Sequence, residues 1–184
     1  MNYRKIVIQP YELEDFRHLK DLAIMLEGIF HLPVKIKKDR YLPSYALNPF
    51  RNQYNAVEIL KDLYPVREAE GDIILGITDK DLYSDNLNFV FGVGSPVLKT
   101  AAISLKRLNS SFYGFPEDKK LFFDRILTEA VHEIGHVFGL DHCPNPYCVM
   151  YFSNSIQDTD TKGFMFCEDC KNKLDRTKNL TVSS

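Results

Sequence analysis

The chain has no tryptophan, no long apolar run and almost no excess charge of either sign. Its 184 residues carry 23 Lys and Arg against 25 Asp and Glu, a formal net charge of −2 at pH 7. So balanced a charge exerts no general pull toward nucleic acid or anionic membranes. No segment approaches the roughly 18 consecutive apolar residues that a membrane span needs. We therefore expect neither a nucleic-acid partner nor a membrane partner.

The first residues lack the apolar stretch and the small-residue cleavage site of a secretory signal peptide. We therefore expect a cytoplasmic protein. Cysteine is absent before position 143, so we expect no N-terminal pro-segment whose thiol could cap a metal site. A hydrophobic content of 45% and a charged content of 26% are ordinary for a folded domain, and the length suits a single one.

Three of the five histidines lie between positions 132 and 142. His132 and His136 are four residues apart, which places both side chains on one face of a helix. Two neutral imidazoles in this arrangement can share one Zn²⁺. Glu133 points about 100° around the helix from His132, so it lies beside the metal rather than on it. A carboxylate there can act as the general base for a zinc-activated water.

A helix end is predicted directly after this pair of histidines. Gly139 suits the left-handed conformation in which many helices end. The chain can then reverse so that His142 supplies a third ligand, and three protein ligands with one open position are typical of catalytic zinc. The full pattern, His-Glu-x-x-His-x-x-Gly-x-x-His, is the metzincin form of the motif. The alternative is an amphipathic helix whose histidines have no metal.

All four cysteines follow this motif, at Cys143, Cys148, Cys167 and Cys170. In a reducing compartment, this spacing is typical of a structural zinc site with four thiolates. The alternatives are two disulfides, with three connectivities to choose from, or four free thiols. A nucleic-acid-binding zinc module is disfavoured by the net charge of −2. Because Cys143 adjoins His142, one short loop would carry ligands of both zinc ions.

The periodicity of apolar residues predicts a sheet backed by helices. The apolar run of residues 72–78 predicts a strand buried on both faces. Gly92, Gly94 and Pro96 predict a turn. The strand after them, residues 100–105, is expected to be an edge strand bordering a cleft, with a buried central strand as the alternative. The other predicted strands are 5–9, 34–36 and 88–92, and the predicted helices are 12–30, 54–64 and about 116–140.

The motif region, residues 132–170, resembles the archaemetzincins, which are zinc-dependent metalloproteases with an additional four-cysteine zinc site. The resemblance also includes Met150, two residues after Cys148. It implies an α+β, metzincin-like zincin fold whose sheet is mixed and backed by helices. The upper lobe, residues 1–139, would contain the twisted sheet and the active-site helix. The small lower lobe, residues 140–184, would contain the third histidine, the Met-turn and the structural zinc.

The resemblance also implies a role for each residue of the motif. Glu133 would be the general base and acid, and Met150 would be the Met-turn residue, which supports the zinc without binding it. We therefore expect a zinc metallopeptidase that acts on peptide substrates. The sequence leaves the oligomeric state open, with a monomer favoured. The alternative is a catalytically weak regulatory or scaffold protein that keeps the zinc-binding fold, although the intact Glu133 disfavours it. The expected ligands are His132, His136 and His142 for the catalytic zinc, and Cys143, Cys148, Cys167 and Cys170 for the structural zinc.

Overall fold

A computed structural model, which describes residues 3–84 and 87–179, has the predicted α/β-like architecture with mixed sheets and backing helices. The strands are β1 (Lys5–Tyr11), β2 (Val34–Ile36), β3 (Leu47–Asn48), β4 (Gln53–Asn55), β5 (Asp72–Thr78), β6 (Leu82–Ser84), β7 (Leu87–Val90), β8 (Gly92–Ser95) and β9 (Thr100–Ser104). The α-helices are α1 (Arg17–Phe30), α2 (Ala56–Leu63), α3 (Lys119–Val137), α4 (Ile156–Lys162) and α5 (Glu168–Asn179). The predicted lobes, residues 1–139 and 140–184, also contain residues 1–2, 85–86 and 180–184, which lie outside the described residues.

The main sheet has the strand order β2-β1-β5-β9-β8. Its first four strands run parallel, and β8 is antiparallel to β9. All seven residues of β5 are buried, as their apolar run predicted. A second sheet has the strand order β3-β4-β6-β7, and its strand β7 lines the cleft described below. The apolar core therefore lies on both faces of a sheet that is covered by helices.

The strand that borders the cleft differs from the prediction. Every residue of β9 is buried, and β9 lies between β5 and β8, so the segment 100–105 is not an edge strand. The edge is β8, in which Gly92 pairs with Ile103, although its glycines predicted a turn. Glycine lowers the intrinsic preference for a strand, but it allows another element to approach the backbone closely. Here α3 makes that approach.

Helix α3 is the central element of the site. The side chain of Asp118 caps its first turn by accepting a hydrogen bond from the amide of Leu121. Its second half, from Arg125 onward, is almost continuously buried. It ends at Val137, and Gly139 has a φ of +84°, the left-handed conformation that the sequence predicted. The chain then reverses toward the cysteines.

After this reversal, two further helices complete the described chain. Helix α4 begins with a capping box, in which Ser155 accepts from the amide of Asp158 and the Asp158 carboxylate accepts from the amide of Ser155. It packs on α3 through polar contacts, among them a two-pronged pair between Arg125 and Asp160 at 2.7 and 2.8 Å. None of the helices within the described ranges has the length and apolarity that a membrane crossing requires.

Candidate active site

The three histidines of the motif lie together in the structure. His132 and His136 project from one face of α3, and His142 follows the reversal at Gly139. One ring nitrogen from each histidine lies within 4.8 Å of the others. The ring centroids of His132 and His136 are 4.6 Å apart, and that of His142 lies 5.5 and 4.8 Å from them. The helix spacing and the turn thus bring the rings to one point.

The hydrogen bonds of His132 and His136 test whether a metal ion would fit between them. His132 Nδ1 lies 2.6 Å from the Val149 carbonyl oxygen, and His136 Nδ1 lies 2.7 Å from that of Leu140. A carbonyl only accepts, so each Nδ1 donates its proton and each Nε2 of a neutral ring keeps a lone pair. The two Nε2 atoms are 3.1 Å apart. Tetrahedral zinc places two such nitrogens roughly 3.3 Å apart, so the pair fits this ion.

The pKa shifts of the histidines favour the neutral form that a metal ligand needs. Burial lowers the pKa of His132 well below its usual value, and the positive charge of Lys162 lowers it further. Burial also lowers the pKa values of His136 and His142. Neutral rings with fixed Nδ1–H donors offer Nε2 to a cation without first losing a proton.

Glu133 is buried next to this cluster. Burial raises the pKa of its carboxyl well above the usual value, and the negative charge of Glu129 raises it further, while Lys162 opposes the shift. A raised pKa makes the carboxylate a stronger base, which favours its acceptance of a proton. Its position and environment therefore suit the acid–base chemistry that the motif predicted.

The histidines and Glu133 line a cavity of about 520 Å³. Strands β7 and β8 form one wall, and the turn after α3 together with residues 152–154 forms the other. Aromatic and aliphatic side chains cover much of the walls, and the ionisable side chains come from α3, α4 and the turn after α3. The apolar lining includes Phe89, Phe91, Val93, Leu140 and Phe152. A cleft with this lining can accept apolar side chains of a ligand.

Two further charged residues, Glu129 and Lys162, line the cavity, although the sequence did not lead us to expect either of them there. Lys162 Nζ lies 3.1 Å from Glu129 Oε1, and it donates to the Tyr151 carbonyl oxygen at 3.3 Å. Thr159 Oγ1 donates to the same Glu129 oxygen at 2.9 Å. Glu129 could have been found, because it lies one helical turn before Glu133. Lys162 gave no signal, because it belongs to a polar segment whose contact with α3 is long-range.

The four cysteines form a second cluster, with their sulfurs within 4.8 Å of one another. None of them is in a disulfide, and Cys143 Sγ and Cys167 Sγ are 3.8 Å apart. Tetrahedral zinc with its usual bonds to sulfur places two thiolates roughly 3.8 Å apart. The backbone amide of Cys167 also donates to Cys148 Sγ at 3.3 Å, as amides do toward thiolates. The donor set and its spacing therefore fit a zinc ion.

Met150 is fully buried at the end of the loop that joins the two clusters. A Cβ atom at Gly135, inside the helix motif, would run into Met150 Sδ. The absent side chain at 135 therefore lets Met150 lie directly against α3. The amide of Cys143 donates to the Met150 carbonyl oxygen at 2.9 Å, so the cysteine cluster and the Met150 turn are tied together.

The family model, the relatives and the solved structures that match this chain agree with one another. A model of peptidase family M54 matches residues 12–176. The archaemetzincin of Methanocaldococcus jannaschii is 52% identical over 170 residues, which cover 92% of each chain. The crystal structure of archaemetzincin from Archaeoglobus fulgidus, complexed with malonate, has a TM-score of 0.81 at 40% identity, covering 92% of this chain and 99% of that chain. The archaemetzincin structure from Methanopyrus kandleri has a TM-score of 0.84 at 33% identity, covering 96% of both chains.

Proposed function

Since this chain belongs to peptidase family M54, it is a zinc metallopeptidase, and we propose that Glu133 is the general base with which it hydrolyses peptide bonds. One observation carries the proposal. The carboxyl group of Glu133 is buried beside the histidine cluster, in the wall of the same cleft, and its pKa is raised by that burial. A protein that bound zinc only as a scaffold would gain nothing from such a group.

The chain would hold two zinc ions. The nitrogens of His132, His136 and His142 would bind the first and leave one position open, and the four cysteine thiolates would bind the second. The ion at the histidines, when bound, polarises the scissile carbonyl and lowers the pKa of the attacking water. The cleft between strands β7 and β8 on one side and the turn after α3 with residues 152–154 on the other would separate an upper lobe, residues 1–139, from a lower lobe, residues 140–184.

Residues of the chain itself would transfer the protons and orient the histidine rings. Glu133 accepts a proton from the attacking water on a carboxylate oxygen and later delivers it to the leaving amine nitrogen. Its raised pKa lets it hold that proton between the two events. The Val149 and Leu140 carbonyls fix the rings of His132 and His136, so neither needs to reorient during turnover.

A peptide substrate would bind in extended form along β8. In the described part of the main sheet, β8 has a paired neighbour on one side only, so its other edge is available for backbone hydrogen bonds. Four of the cavity-lining residues belong to β7, and the aromatic side chains nearby would contact the substrate's own side chains. Backbone pairing would align the substrate, and the apolar walls would select among sequences.

Replacing Glu133 with Gln tests the proposal, because the amide keeps the shape of the side chain but cannot accept the proton. We expect kcat to fall about 1,000-fold with an internally quenched peptide mixture, while zinc content and KM stay close to the wild-type values. The control is Glu117→Gln, at an exposed position before α3, which should leave kcat unchanged. Undiminished turnover in the Glu133 variant would remove Glu133 from the mechanism. A wild type as slow as this variant would favour the scaffold alternative.

A further inference from the structure

Strand β8 presents two glycines, and no side chain, to helix α3. Gly92 and Gly94 are two residues apart, so they lie on the same face of the strand, and Val93 between them packs into the apolar cluster on the opposite face of the sheet. A Cβ atom at Gly92 would lie 2.6 Å from Glu133 Cγ and 2.7 Å from Glu133 Oε1. Real Cβ contacts are essentially never that short.

Backbone conformation does not explain the glycine at position 92. Among the described glycines, those with positive φ are Gly114, Gly139 and Gly163, so Gly92 lies outside the region that favours glycine. Its strand forms an ordinary antiparallel ladder with β9. Gly139 is the opposite case, because its φ is +84° and a Cβ there would meet no atom within 4 Å. At position 92, the reason for glycine is the space that the missing side chain leaves.

We propose that Gly92 is a positioning residue for the carboxylate of Glu133. This inference rests on the proposed function and adds to it the element that determines where the base lies. A Cβ at Gly92 would be enclosed between the Glu133 side chain and the Ala102 carbonyl oxygen, which is 2.9 Å away. That carbonyl belongs to β9 and cannot rotate away, whereas the Glu133 side chain can. An added methyl group would therefore displace the carboxylate first.

Gly94 has a related but separate effect. A Cβ there would run into the carbonyl oxygen of Glu133 and would lie 3.0 Å from His136 Cβ. The carbonyl is part of the helix backbone, so only a shift of α3 relative to β8 could relieve the contact. Gly94 thus sets the distance between the edge strand and the helix, and Gly92 determines the carboxylate position within that distance.

Thermal unfolding of Gly92→Ala, measured with Glu133 and with Glu133→Ala, tests this assignment without any substrate. With Glu133 present, we expect the methyl group to lower Tm by about 5 °C. With Glu133→Ala, which removes the atoms it would meet, the loss should shrink to about 2 °C, the remainder being due to the Ala102 carbonyl. An equal loss in both backgrounds would overturn the proposal.

Gly76→Ala is the matched control. Gly76 lies on β5 in the same sheet, and a Cβ there would meet Leu63 Cδ1 at 2.8 Å, away from the cleft. Its effect on Tm should be the same in both backgrounds. If Gly92→Ala does not fold, the test is whether Glu133→Ala restores folding to it. The double variant with Glu133→Ala should then fold, and its failure to do so would overturn the assignment.

The kinetic parameters separate positioning from a general structural role. Gly92→Ala should lower kcat about 100-fold on the internally quenched peptide mixture with little change in KM, because the base is misplaced while the cleft remains. Gly76→Ala should change neither. Coupling in Tm together with full activity in Glu133→Gln would place the carboxylate but reject its role as the base. A loss of activity in Glu133→Gln without coupling would leave the base and reject the role of Gly92.

Discussion

At the scale of single residues, the site contains a buried ion pair between Lys162 and Glu129. Either charge would cost folding free energy if it were buried without the other. The side chains of Lys162 and Glu129 are almost fully buried, and the Lys162 ammonium also lies 3.3 Å from His132 Nδ1. Buried charges are tolerated when they are paired and hydrogen-bonded, and removal of one partner leaves the other without compensation. The sequence could predict that the three histidines lie together beside Glu133, because their spacing is local. It could not predict this pair, because α3 and α4 meet only in the folded chain.

Lys162→Met therefore should destabilise the protein strongly. Methionine has a similar length but no charge, so Glu129 would keep a buried negative charge without its partner. We expect the free energy of unfolding in urea to fall by about 3–5 kcal/mol. The double variant Lys162→Met/Glu129→Gln should recover most of the loss, since Gln is neutral and its amide oxygen can still accept from Thr159 Oγ1. A loss below about 1 kcal/mol in the single variant would show that Glu129 is not left with an uncompensated buried charge.

At the scale of elements, the sequence predicted most helices and buried strands, and it failed where packing outweighed local preference. Helix α3 and its end at Gly139 follow from local signals, namely the Asp118 cap and the left-handed preference of glycine. The glycines of β8 carry the opposite local signal, because glycine is typical of turns. The ladder with β9 makes that segment a strand and leaves β9 in the interior, and the missing side chains let α3 approach it closely.

The two uses of glycine at a helix predict opposite effects of one substitution. Gly28, inside α1, and Gly139, after α3, both have no atom within 4 Å of an added Cβ, so they differ in backbone conformation and not in space. Gly28→Ala should raise the free energy of unfolding by about 1 kcal/mol, because alanine favours the helix. Gly139→Ala should lower it by about 1 kcal/mol, because φ is +84° there. Urea denaturation measures both, and equal signs would contradict this account of the α3 end.

At the scale of the whole molecule, one loop connects the two proposed metal centres. His142 and Cys143 are adjacent in the chain, the Cys143 amide donates to the Met150 carbonyl, and the Val149 carbonyl orients His132. A metal at the cysteines would therefore hold the loop that supplies the third histidine and fixes the first. The shared loop was predictable from the sequence. The cleft walls were not, because β7, β8 and residues 152–154 meet there only through the tertiary fold.

The most direct test of the two proposed metal centres is the zinc content, by elemental analysis, of wild-type protein and of His136→Ala, both purified without chelator. We expect two zinc ions per chain in the wild type and one in the variant, because the four thiolates of the cysteine cluster keep their own ion. Equal zinc content in the two proteins would contradict a metal site at the histidines. A wild type without zinc would contradict both sites.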